Sequence, residues 1–145
     1  MKRKAITFAS AVLVLMCIVA MTYSLGHGRS ITMPSTAVDR VVVSETNGTT
    51  FTITDARKIE YLLQFVDHHR NGWRRPWGTF PTPAYTAKFE SDGTMLFVVW
   101  IGREGSGWIG FAANSRGTPD QLLRELSEAE RSELLNELLD TSGSR

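Results

Sequence analysis

Hydrophobic and polar positions fall into blocks of different period along this chain. Ala5 to Tyr23 is an almost unbroken apolar run behind Lys2, Arg3 and Lys4, interrupted only by the small Thr7, Ser10 and Thr22. A helix of about 20 residues spans the hydrocarbon layer, and a basic cluster on its N-terminal side is held in the cytoplasm. The run predicts a transmembrane anchor, or uncleaved signal helix, over residues 1–26, which contacts the membrane through residues 5–23. The protein is then a single-pass cell-membrane protein, with its N-terminus cytoplasmic and its C-terminal domain outside. The competing expectation is a signal that is cleaved to release a secreted domain, for which the apolar stretch would be about 7–15 residues long. Cutting after Ala20 truncates the run and puts Ile18 where a small residue belongs, and cutting after Gly26 leaves the stretch too long. Cys17 follows Val14-Leu15-Met16, which lacks the small residues of a lipidation site, so it reads as an apolar member of the anchor.

Residues 27–37, with Gly28, Pro34 and Ser35, read as a tether. Val38 to Ser44 is short and β-branched, Asn47-Gly48 is a hairpin signal expected as a type I′ turn, and Thr50 to Thr54 places Phe51 and Ile53 inward. Asp55 caps a helix over about Ala56 to His68, in which Ile59, Leu62, Leu63 and Val66 share one face. Asn71-Gly72 ends it. The stretch from Trp73 to Pro83 contains Pro76, Pro81 and Pro83, which exclude helix and central strand alike. Ala84 to Glu90 alternates as a half-exposed strand, Asp92-Gly93 turns the chain, Thr94 to Ile101 is apolar on both faces as a central strand is, and Trp108 to Ala113 completes a meander. Thr118-Pro119-Asp120-Gln121 predicts the start of a terminal helix, whole or broken near Ser127, where a second capping box stands; it carries Leu134, Leu135, Leu138 and Leu139.

The predicted fold is α+β, β-β-α-β-β-β-α, with about five antiparallel strands and the helices on one face. The domain occupies residues 38–140, and residues 141–145 fray. Composition adds exclusions. The 145 residues are 42% hydrophobic and 21% charged, which fits one globular domain. A lone cysteine forbids an internal disulfide framework. Beyond residue 26 the basic count falls from 16 to 13 against 15 acidic residues, which argues against a nucleic-acid partner. Bases dominate residues 57–88 and acids dominate residues 118–145, so the two regions can pair with each other or face different partners.

Phe51-Thr52-Ile53-Thr54-Asp55 with Lys58-Ile59, Pro83-Ala84-Tyr85, and Leu126-Ser127 with Glu130, Leu134 and Leu135 make the chain resemble small exported or membrane-anchored bacterial proteins of unknown function. The resemblance implies the architecture and an extracytoplasmic place. It implies no site.

Candidate chemistry is sparse. His68-His69 is the only histidine pair, but neighbours on a helix point about 100° apart and metal ligands from one helix sit at i and i+4, so no metal is expected. Ser106 lies in a turn-like Gly105-Ser106-Gly107 without the spacing of a nucleophile elbow. Glu90 and Asp92 read as solvated edge and turn residues, and neither a catalytic set nor a cofactor is expected. The richest stretch is Trp73 to Tyr85, where Trp73, Arg74, Arg75, Trp77, Phe80 and Tyr85 form a candidate surface for a protein or cell-envelope partner. Alternatively, its aromatics fold back as a lid on the sheet while Arg74 and Arg75 pair with the acidic C-terminal region. The expected function is a non-enzymatic binding or accessory module. The alternatives are a secreted small-ligand carrier or enzyme near His68 and His69, with Arg74, Arg75 and Glu104 as helpers, and a scaffold subunit of a membrane complex.

Overall fold

The structure is a computed structural model that describes residues 13–17, 28–76, 78–103, 107–113 and 120–140. Six strands form one antiparallel sheet: β1 (Arg40–Glu45), β2 (Thr50–Ile53), β3 (Tyr85–Ser91), β4 (Thr94–Ile101), β5 (Trp108–Ala113) and β6 (Leu122–Glu125). Their spatial order is β2-β1-β3-β4-β5-β6. Helix α1 (Ala56–His68) joins β2 to β3, and α2 (Glu128–Leu139) follows β6.

Local chemistry accounts for most boundaries. Asp55 caps α1 by accepting from the N–H groups of Arg57 and Lys58 at 2.9 and 3.0 Å. Ser127 and Glu130 form a reciprocal capping box at the start of α2. Asp92 and Gly93 both take positive φ, 47° and 77°, as a two-residue type I′ turn between β3 and β4 requires. The β1–β2 turn differs from the expectation. There only Gly48 is left-handed, and its N–H donates to Glu45 O at 3.0 Å while Glu45 N–H donates to Thr49 O at 2.8 Å. This is a three-residue loop with a glycine bulge, and Asn47 instead uses its side chain to accept from Thr49 N–H at 2.9 Å.

The order is β-β-α-β-β-β-β-α, one strand more than the sequence predicts. Leu122–Glu125, expected within the terminal helix, is strand β6. It lies between β5 and the backbone of Arg74, whose N–H donates to Leu123 O at 2.8 Å and whose carbonyl accepts from Leu123 N–H at 2.7 Å. Non-local hydrogen bonds on both edges outweigh the helical start signal, of which Thr118 and Pro119 lie outside the described residues.

Cross-strand register puts Val41, Val43, Ala87, Phe89, Phe97, Val99, Ile101, Ile109, Phe111 and Leu122 on one face. Ile59, Leu62, Phe65 and Val66 of α1 and Leu134 and Leu138 of α2 join them in a single core. Aromatic rings run across this face: Phe89 stacks on Phe97 at 4.2 Å, Phe97 meets Phe111 at 5.5 Å, and Phe111 meets Trp73 at 5.8 Å.

The opposite face is covered over β4 and β5 by Phe80, whose ring lies 4.9 Å from that of Trp100 and 5.5 Å from that of Trp108. Gly110 makes room for it: a Cβ there would sit 2.4 Å from Phe80 Cζ and 3.1 Å from Trp100 Cε3. Gly110→Ala is therefore expected to displace Phe80 and cost about 1–3 kcal/mol, the range for overpacking, read as a lower urea midpoint with an unchanged slope.

Residues 13–17 are helical, and Leu13, Val14, Leu15 and Met16 are all exposed. The rest of the expected anchor lies outside the described residues, and among those described no helix is long and apolar enough to cross a membrane.

Candidate functional site

The aromatic loop is built largely into the fold. Trp73 is 0% exposed; its backbone bridges to Arg29, and its Nε1–H donates to His69 O at 2.7 Å. Phe80 lies on the sheet, and Tyr85, the first residue of β3, is half-buried. Arg74 and Arg75 are exposed, the first paired with Glu125 and the second with Asp120 at 2.6 Å. Asp120 also holds Arg29 at 3.3 Å, so the basic loop and the acidic C-terminal region do meet. Trp77 lies outside the described residues, as do Glu104 and Ser106. The residues of the expected binding surface are thus divided among the core, the sheet and the rim. Glu90 pairs with Arg40 at 2.7 Å, and Asp92 is held in its turn by its backbone N–H, which donates to Asp39 at 2.7 Å.

The histidines sit where the end of α1 meets the start of α2. His68 is exposed, whereas His69 is 5% exposed and stacks on Phe65. Both nitrogens of His69 face acceptors, Nδ1 with Phe65 O at 2.7 Å and Nε2 with Glu130 Oε1 at 2.9 Å. The other oxygen of Glu130 accepts from the N–H and the hydroxyl of Ser127, each at 2.7 Å. These Ser127 hydrogen bonds, followed by the one from His69, hold the Glu130 carboxyl down at about 2. Arg124 reinforces the joint from β6, donating to His69 O at 2.8 Å and Asn71 O at 2.9 Å. Beside it, Tyr61 Oη donates to Glu133 at 2.5 Å; burial first, then this bond and the charges of Glu133 and Glu137, raise the phenol to about 12. Tyr61, His68, His69, Glu130 and Glu133 line an open groove of about 360 Å³ between the helices. Among the described residues, no cluster of three histidines, cysteines or acids is placed to hold a metal.

A second groove, of about 420 Å³, lies on the other side of α2, where it borders the start of β3 and the end of β4. Tyr85, Arg103, Ser132, Leu135 and Asn136 line it together with Arg131. Sequence reasoning passed over Arg131, although it shares the helical face of Leu134 and Leu138, where a charge is out of place. Its side chain is 5% exposed, and its guanidinium is poorly satisfied. One nitrogen donates to Gly102 O at 3.3 Å, another lies 3.7 Å from Glu128, and the buried Nε has no partner among the described residues. A buried cation with donors to spare is costly unless something else accepts from it.

No family model, curated protein or solved structure matches the chain. The functional reading therefore rests on these two grooves and on the N-terminal sequence.

Proposed function

We propose that this protein is a single-pass, membrane-anchored binding module whose α+β domain lies outside the cytoplasm, with the groove between α2 and the β3–β4 border as its ligand site. The under-satisfied, buried Arg131 carries this reading, because a fold tolerates such a group where a ligand completes its hydrogen bonds. The basic Lys2-Arg3-Lys4 ahead of an apolar run, and the exposed apolar helical turn at residues 13–17, support the anchor.

The geometry favours binding over catalysis at His69. A general base needs a ring nitrogen free to take a proton, and both nitrogens of His69 are engaged, one of them by Glu130, whose other oxygen holds the helix cap. His69 and Glu130 act as a strut between helices. The aromatic loop supports the sheet and core, and Arg74 and Arg75 remain as exposed polar contacts at its rim.

One set of cells tests site and topology together. A photoreactive phenylalanine analogue placed at Ser132 is expected to capture a ligand, whereas the same probe at Lys88, on the exposed sheet face, captures none. With Cys17→Ser as background, Lys88→Cys is expected to react with a membrane-impermeant maleimide on intact cells. Equal capture at both positions, or labelling only after lysis, contradicts the proposal; labelled protein in the medium instead favours a secreted carrier.

A further inference from the structure

We infer that the groove beside Arg131 takes a small oxyanion, a carboxylate or a phosphate ester, carried on a compact apolar body; this rests on the binding reading above and specifies its ligand class. The guanidinium has five N–H donors in a planar fork suited to two oxygens of one anion. The contacts to Gly102 and Glu128 are long, and the Nε–H is unanswered among the described residues. A neutral guest would leave that charge balanced only by the long contact to the exposed Glu128, whereas an oxyanion neutralises it and accepts from it at once. Arg103, Tyr85, Ser132 and Asn136 make the rest of the lining polar. Leu135, Leu139 and Ala84 make the remaining wall apolar. At about 420 Å³ the groove is far larger than a bare oxyanion needs, which is the reason for assigning the ligand an apolar body. Among the described residues Glu128 is the one acid on the lining, and it is exposed, so it can turn to solvent.

The test is thermal unfolding of the full-length protein in neutral detergent with benzoate, inorganic phosphate or benzamide, at ionic strength matched with sodium chloride. Benzoate, phosphate or both are expected to raise Tm by about 4 °C at roughly ten times the Kd, and benzamide is expected to leave it unchanged. A response to benzoate alone assigns a carboxylate, and a response to phosphate alone assigns a phosphate ester. Arg131→Met is expected to abolish the response. Ser132→Trp, at an exposed helical position on the groove, is expected to block it without lowering the Tm measured in the absence of probe, so the test survives even if Arg131→Met does not fold. An equal response to benzamide that Ser132→Trp removes overturns the anion assignment but leaves the groove as a binding site. No response to any of the three, or the same response in Ser132→Trp, overturns both.

Discussion

Trp73→Ala is expected to remove about 3–5 kcal/mol of stability, the range for truncating a large buried aromatic, out of a total of about 5–15 kcal/mol for a domain of this kind. The side chain is 0% exposed and closes the aromatic row that starts at Phe89. Its truncation opens a cavity against Phe111 and loosens the place where the Arg29 segment, the end of α1 and the loop converge. The indole N–H is worth less than the ring, because His69 O also accepts from Arg124. Trp73→Phe is thus expected to cost about 1 kcal/mol for the lost hydrogen bond, plus a packing term smaller than that of alanine. Urea unfolding followed by tryptophan fluorescence checks both. Trp73→Ala protein with wild-type stability would mean that the indole is a surface group after all. The consequence is practical: a partner lost on truncating Trp73 reports a damaged fold, so surface contacts of the loop are properly probed at Arg74 and Arg75.

His69→Ala is the second large effect, expected at about 2–3 kcal/mol. It removes the contacts to Phe65 O and Glu130 and the stacking on the Phe65 ring, and leaves a buried carbonyl with one donor fewer. Glu130 is partly exposed, so water recovers part of its share. The same joint sets an acid limit. Glu130 has a folded value lowered from 4.5 to about 2, so the stability it lends is complete above its unfolded value and is lost as pH falls through the folded one. Between about pH 4.5 and 2, the Tm of the wild-type protein is expected to fall more steeply than that of Glu130→Gln, in which this group no longer titrates. Parallel curves would show that the capping box does not hold the carboxylate in solution.

The sequence is most legible where structure is local. Helix α1 runs over Ala56–His68 as its apolar spacing and Asp55 cap predict, and β4 and β5 match their apolar runs from end to end. Strand β6 was hidden because four residues carry too little periodicity to compete with a capping signal just upstream. What makes it a strand is β5 on one side and Arg74 on the other, far away in sequence. The loop from Trp73 to Tyr85 was legible as unusual but not as internal, because the burial of Trp73 depends on Phe111 and Arg29. Arg131 was legible in principle, as a cation on the apolar stripe of α2 three residues before Leu134 and seven before Leu138. Its meaning needed the groove.

The most direct test of the Arg131 groove as the binding site is a titration of ¹⁵N-arginine-labelled full-length protein with benzoate, following each Nε–H resonance. The Arg131 Nε–H signal is expected to move saturably, while those of Arg29, Arg40, Arg74 and Arg75, already paired with acids, hold still. An unmoved Arg131, or a uniform drift of all arginines with added salt, would contradict the account.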